Sequence, residues 1–145
     1  MINIKSITLP IRGLEEMRRE ALDEGFRFIE RLWEEWEGGT NRFDAPGEKL
    51  LGCMEDTTLI AVGGLNEDPS GRSGVGRIRR VYVRPGWRSQ GIGQMLVETL
   101  VERARPSFTS LELRTDNPAA ARLYERIGFK KRAAQNATHV LCFDQ

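Results

Sequence analysis

"VYVRPGWRSQGIGQML", residues 81–96, is the stretch on which the reading of the chain turns. Val81, Tyr82 and Val83 continue an alternating, strand-like run that Pro85-Gly86 stops. Beyond a basic patch, Ile92, Met95, Leu96 and Leu100 recur every three or four residues, as on one face of a helix. A helix starting near Gly91 leaves several backbone N–H groups without intrahelical acceptors, and its dipole adds partial positive charge there. Gly91 and Gly93 put no side chain between those donors and an anion, and Arg88 can add charge-assisted bonds. The turn therefore reads as a pyrophosphate cradle, although Gly-x-Gly alone also suits a tight, well-packed turn. It is not a dinucleotide fingerprint, because Leu96 stands three residues beyond Gly93, nor a Walker loop, because Gly-Lys-Ser/Thr occurs nowhere.

Outward from this turn, residues 75–83 read as a strand, 91–104 as a helix and 109–115 as a second strand with Leu111 and Leu113 on one face, forming a right-handed parallel crossover. Upstream, residues 2–9 alternate weakly as an edge strand. Residues 14–37 carry helical spacing (Leu22, Phe26, Ile29, Leu32 or Trp33, Trp36), with Gly25 as a break between two helices. "GGTNRFDAPG" is a loop, and residues 49–54 and 58–65 form a hairpin around "EDTT". "THVLCFD" supplies the last strand. The element order is β-α-α-β-β-β-α-β-α-β, a mixed α/β (α+β) sheet in one domain over residues 1–145.

The balance of charge narrows the class of partner. With a net charge of +1, the chain has no single-signed field that calls for nucleic acid or a membrane, and no apolar run reaches the ~20 residues of a membrane span. The N-terminus has no apolar core or small-residue cleavage site, which points to the cytoplasm. Cys53 and Cys142 lie in apolar strand segments without zinc-site spacing; they read as buried free thiols, and no metal is expected.

The second informative stretch is "TDNPAAARLYERIGF", residues 115–129. Asn117 suits an N-cap, Pro118 the first helical position and Gly128 the position past the end, which predicts a helix over 118–127. Tyr124 lies nearly two turns from Asn117 and shares its face. Taken alone, Tyr124 also suits a half-buried core position with its hydroxyl at the surface.

Together the two stretches resemble the acetyl-CoA-binding core of the GNAT superfamily of N-acetyltransferases. Arg88, Gly91 and Gly93 fill its Arg/Gln-x-x-Gly-x-Gly/Ala pattern. Asn117, Ala120, Tyr124, Gly128 and Phe129 fill Asn-x-x-Ala-x-x-x-Tyr-x-x-x-Gly-Phe. The motif-level resemblance covers about residues 75–130, and the preceding element order agrees with the family fold. The resemblance implies mostly antiparallel N-terminal strands and a central parallel β-α-β unit whose strands splay to hold CoA. It implies that backbone groups of Val81, Tyr82 and Val83 hold the pantetheine arm and that Arg88, Ser89, Gln90, Gly91, Ile92, Gly93 and Gln94 hold the pyrophosphate. Asn117 would touch the arm, and Tyr124 would point at the thioester sulfur.

Acetyl transfer to an amine needs a neutral nucleophile, a donor at the carbonyl oxygen and a proton for the thiolate. A tyrosine of pKa about 10 is protonated at neutral pH and can protonate a thiolate whose thiol titrates near 8.5, so Tyr124, placed at the sulfur by the resemblance, can serve as the general acid. A strand N–H at Val81 or Tyr82 is a candidate oxyanion donor. The strand "RIRRVYV" has arginines where many members of the superfamily carry a carboxylate base; Glu112, Asp116 or a water chain remain as alternatives. The resemblance implies that the segment between the first two helices or just after them, with the last hairpin, lines the acceptor cleft, which nominates Trp33, Trp36, Asn41, Arg42 and Phe43. His139 reads as structural.

Arg77, Arg79, Arg80, Arg84 and Arg88 fall within twelve residues, yet without aromatic partners at RNA-binding spacing. By strict alternation Arg79 shares a face with Val81 and Val83, beside the thioester, where it favours an acceptor bearing an anionic group. The expectation is direct acetyl transfer to the primary amine of a small metabolite by a monomer or homodimer. A protein N-terminal acetyltransferase and a silent acyl-CoA-binding regulator are the alternatives.

Overall fold

Apolar residues recurring every second position in the strands and every third or fourth in the helices give the chain two buried layers, one on each face of a sheet. The computed structural model describes residues 1–134 and 136–143. The elements are β1 (Ile2–Ser6), α1 (Leu14–Asp23), α2 (Phe28–Gly38), β2 (Lys49–Glu55), β3 (Thr58–Glu67), β4 (Val75–Val83), a 3-10 turn (Pro85–Trp87), α3 (Ile92–Ala104), β5 (Ser110–Leu113), α4 (Pro118–Ile127), β6 (Lys130–Ala134) and β7 (Ala137–Cys142). The sheet runs β1-β2-β3-β4-β5-β7-β6; β4 and β5 are parallel and every other pair is antiparallel.

Helices α3 and α4 pack on one face over Leu51, Ile60, Ala61, Ile78, Leu111 and Leu113. Helix α3 buries Ile92, Leu96, Val97, Leu100 and Val101, each contributing about 1.5–3 kcal/mol if fully withdrawn from water. It lies so close to β3 that a Cβ on Gly63 would stand 2.9 Å from a methyl of Leu100. Helices α1 and α2 pack on the other face, over Leu50, Met54, Val62 and Tyr82. That second layer includes no described residue of β5, β6 or β7, so this half of the sheet face carries no helix.

Helix α4 spans the predicted residues: the Asn117 Oδ1 accepts the amides of Ala119 (2.8 Å) and Ala120 (3.3 Å), and the chain closes through Gly128. Gly25, with φ +87°, falls in the break between α1 and α2. Several expectations are corrected. Strand β6, "KKRAA", has no apolar alternation because it is an edge strand, and periodicity misses it. Cys142 is exposed, while Cys53 is buried and its thiol pushed up by desolvation. Leu22 and Phe26 are 42% and 36% exposed, at the end of α1 and in the break beyond it. No helix of the described residues is long and apolar enough to cross a membrane.

Candidate active site

Two features of β4 shape the centre of the molecule. The first is a split in the sheet. β4 pairs with β3 along its whole length, from Gly76 opposite Glu67 to Val83 opposite Ala61, but with β5 only at Val75, Gly76 and Arg77. Beyond Arg77 the edge of β4 facing β5 is unpaired. The Arg84 N–H donates to the Ile60 carbonyl at 2.9 Å, so by antiparallel alternation the polar groups of Tyr82 also face β3, while those of Val81 and Val83 face the gap. The Val83 carbonyl accepts from Arg88 Nε at 2.9 Å.

The second feature is a bulge. Gly64 opposes Arg79 while Val62 opposes Tyr82, so β4 carries one extra residue there, and Arg80 takes a left-handed φ of +60°. The extra residue reverses the parity read from sequence. Ile78, Val81 and Val83 face α3, whereas Arg79 turns to the opposite face with Arg77. Arg79 therefore does not stand beside Val81 and Val83 as strict alternation predicts. Tyr82 is corrected as well: its ring is buried against Phe26 and Phe28, and its hydroxyl donates to Glu24, away from the gap.

Past β4, Ser89 and Gly91 adopt φ values of +65° and +78° and open the N-terminus of α3. No side chain caps that end. The amides of Gly91, Ile92, Gly93 and Gln94 have no acceptor among the described residues, and a Cβ on Gly91 would project into open space. Ser89 and Gln90 are exposed just before these amides. The Arg88 guanidinium is not offered to this turn. It forms a two-pronged pair with Glu24 (2.6 and 2.7 Å) and lies over the Tyr82 ring. Arg84, one turn earlier, pairs likewise with Glu20 at 2.8 and 3.1 Å. Glu20 and Glu24, four apart on or at the end of α1, thus clasp two arginines four apart around the turn. That matched spacing was the sequence signal for this clamp. The Arg88 bonds hold the Glu24 carboxyl below the usual range, aided by the Tyr82 hydroxyl. Burial, then Glu24, push the Tyr82 hydroxyl up.

Tyr124 projects from α4 into the α3 side, 7% exposed, its ring edge-on to Phe129. Its hydroxyl has no partner among the described residues. Arg80 Nε is the fully enclosed side-chain atom without a partner among the described residues, so the Tyr124 hydroxyl, also without a partner, is not completely enclosed. Desolvation pushes it up to about 12. Asn117 is exposed at the start of the same helix, its Oδ1 spent on the cap.

The remaining nominees are placed elsewhere. Asn41 exchanges side-chain amide hydrogen bonds with Asn66 (3.0 Å each), and its Oδ1 accepts the Phe43 N–H at 3.1 Å. Phe43 is buried at 5% exposure against Gly64, where the absent Cβ makes room for its ring. Both serve the loop and the core rather than an open cleft. Trp36 is half-buried against the α1–α2 layer. Glu112 is buried and held by Arg72 at 2.6 and 3.1 Å, which removes it as a free base. Asp116 is exposed. His139 is buried between Thr138 and Glu125, a structural position.

A family model described as the acetyltransferase (GNAT) family matches residues 13–129. The chain belongs to this family. Among curated proteins, N-alpha-acetyltransferase RimI of Mycobacterium tuberculosis is 30% identical over 87 residues, 60% of this chain and 55% of that protein. An uncharacterized Mycobacterium leprae protein is 35% identical over 54 residues, 37% of this chain and 15% of its own length. The chain thus matches about half of the first relative and less of the second. A candidate acetyltransferase from Exiguobacterium sp. 255-15 superposes with a TM-score of 0.88 at 26% identity, over 98% of this chain and 93% of that one. A GNAT acetyltransferase from Brucella melitensis, solved in complex with acetyl-CoA, shares the fold with a TM-score of 0.71 at 17% identity, over 100% of this chain and 90% of that one. For this GNAT protein an acyl-CoA fits two local features: an unpaired strand edge that suits amide groups, and open amides at a helix N-terminus that suit a pyrophosphate.

Proposed function

We propose that this protein is an acetyl-CoA-dependent N-acetyltransferase that acts on the primary amine of a small metabolite by direct attack. The observation that carries the reading is the split between β4 and β5 beside the open amides of Gly91–Gln94, one continuous path for a long, thin, polyanionic cofactor. When bound, acetyl-CoA supplies an activated acetyl thioester. The amides of Gly91, Ile92, Gly93 and Gln94, preceded by Ser89 and Gln90, bind its pyrophosphate, with the Arg88 side chain holding the turn rather than the anion. Val81 and Val83 hold the pantetheine arm through their gap-facing backbone, beside Asn117. The Val81 N–H is the better placed of the two oxyanion donors, since Tyr82 faces β3.

Tyr124 keeps its proton at Oη and can release it to a departing sulfur. Its raised pKa leaves it fully protonated at neutral pH, and the same desolvation raises the affinity of a nearby thiolate for that proton. With Glu112 bound by Arg72, Asp116 or ordered water is left as the route by which the amine loses its proton.

The test is release of free CoA from acetyl-CoA in the presence of a panel of amines, amino acids and peptides, with acetyl-CoA binding followed by calorimetry. Binding without turnover on any acceptor would support a silent acyl-CoA regulator instead. A second reading, acetylation of protein N-termini, is favoured by the name of the M. tuberculosis relative; preference for peptides over all small amines would establish it.

A further inference from the structure

The arginines of β4 and its turn divide into two groups. Arg80, Arg84 and Arg88 each have a carboxylate from α1 or α2: Glu35 (3.0 Å), Glu20 and Glu24. Arg77 and Arg79 have none. Arg77 donates to the backbone carbonyl of Asn136, and Arg79 makes no hydrogen bond or ion pair among the described residues. Both point to the sheet face that α1 and α2 leave bare beyond β4. Arg114, just past β5 and on the same face as Glu112 by alternation, joins them without a partner among the described residues. These three guanidiniums line a cavity of about 220 Å³ with Asp68 and Arg72.

Arg72 does not add an open charge. It is bound to Asp68 at 2.7 Å and to Glu112 at 2.6 Å. Four arginines stand against two carboxylates, which leaves a surplus of two positive charges. Burial and then the neighbouring Arg80 push the Arg79 guanidinium down, so holding it here without an anion is unfavourable. The cavity lies at the fork of the sheet, since Arg77 is the last residue of β4 paired with β5. A molecule whose anionic end rests there can extend its other end into the gap beside Val81.

We propose that this pocket binds a doubly negative group, a phosphomonoester or a pair of carboxylates, on the amine acceptor, through Arg77, Arg79 and Arg114. The inference rests on the acetyl-transfer reading of the gap. The charge surplus matches a dianion better than a single carboxylate, and the small volume suits the end of a metabolite rather than a peptide chain.

The test has two parts. Inorganic phosphate and malonate are titrated at constant ionic strength into the wild type, Arg79→Ala and Arg79→Lys, followed by the arginine Nε–H signals in NMR, with acetyl-CoA affinity measured in parallel. At least a tenfold loss of dianion binding in Arg79→Ala and a smaller loss in Arg79→Lys, with acetyl-CoA affinity within twofold of wild type, are expected; whether phosphate or malonate binds more tightly distinguishes the two dianions. In turnover, aminoethyl phosphate and aspartate are compared with ethanolamine and alaninamide, and kcat/KM is expected to fall at least tenfold when the dianion is removed. Equal dianion binding in all three proteins, or equal kcat/KM for neutral and dianionic amines, overturns the proposal while leaving acetyl transfer intact. Failure of the wild type to bind acetyl-CoA overturns the transfer reading, and with it the assignment of the pocket to an acceptor.

Discussion

Tyr124→Phe separates chemistry from packing, because the ring sits edge-on to Phe129 at a centroid distance of 5.8 Å while the hydroxyl has no partner among the described residues. Phe keeps the ring and its contacts, so stability near pH 7 is expected to change by less than ~0.5 kcal/mol. Turnover is expected to fall by ~10² or more if the hydroxyl is the general acid, about 2.7 kcal/mol of barrier at 1.36 kcal/mol per decade. The assay is single-turnover release of CoA with saturating acceptor, so that chemistry limits the rate, with acetyl-CoA affinity unchanged. The raised pKa adds a second signature. With the native hydroxyl near 12 and the unfolded one near 10, the unfolded state loses its proton first. The stability tied to this group is therefore fully present below about pH 10 and is lost as pH rises through about 12. At 1.36 kcal/mol per unit the loss is on the order of 2–3 kcal/mol, and Tyr124→Phe should remove it from an alkaline unfolding series. Wild-type single-turnover rates in the Phe variant would refute the acid role. An alkaline limb in kcat near pH 8–9 that disappears in that variant would refute the raised pKa.

Gly91→Asp puts a side chain on a left-handed backbone and a carboxylate over the open amides, so acetyl-CoA affinity should fall at least ~10-fold, about 1.4 kcal/mol, in calorimetry. Glu24→Gln keeps an acceptor for the Tyr82 hydroxyl but removes the charge facing Arg88, and at this part-exposed pair should cost about 1 kcal/mol in urea unfolding. Because the Glu24 carboxyl is held below its usual value, its stabilisation is present above about pH 4.5 and lost as pH falls through the lowered native value; Glu24→Gln should flatten that part of an acid titration. Leu96→Ala opens a cavity between α3 and the sheet at a fully buried site, with an expected loss of 2–5 kcal/mol by denaturant unfolding, on the order of Leu→Ala changes in other cores.

Elements whose signals are local were legible in the chain itself. The caps of α4 follow from Asn117, Pro118 and Gly128, whose backbone preferences act within a few bonds. The opening turn of α3 follows from Pro85, Gly91 and the apolar period after it. The edge strand β6 was not legible, because neither face of "KKRAA" needs an apolar row and only pairing with β7 makes it a strand. The site divides in the same way. The residue types at the turn and at Tyr124 are written in sequence, since the proposed phosphate cradle and the proposed proton donor each need particular residues at particular spacings. Which way those residues face was settled by long-range contacts. One extra residue in β4, accommodated at Arg80 against β3, reversed the side on which Arg79 stands, and alternation cannot register a bulge that exists only in the pairing of two strands. Arg88 reads in sequence as a phosphate ligand but is taken by Glu24, 64 residues earlier in the chain. Charge pairing between distant segments depends on which surfaces the core brings together, so the sequence by itself determined the turn and the residue types it carries, and only the packing of α1 and α2 beside β4 and its turn decided which arginines have a carboxylate partner.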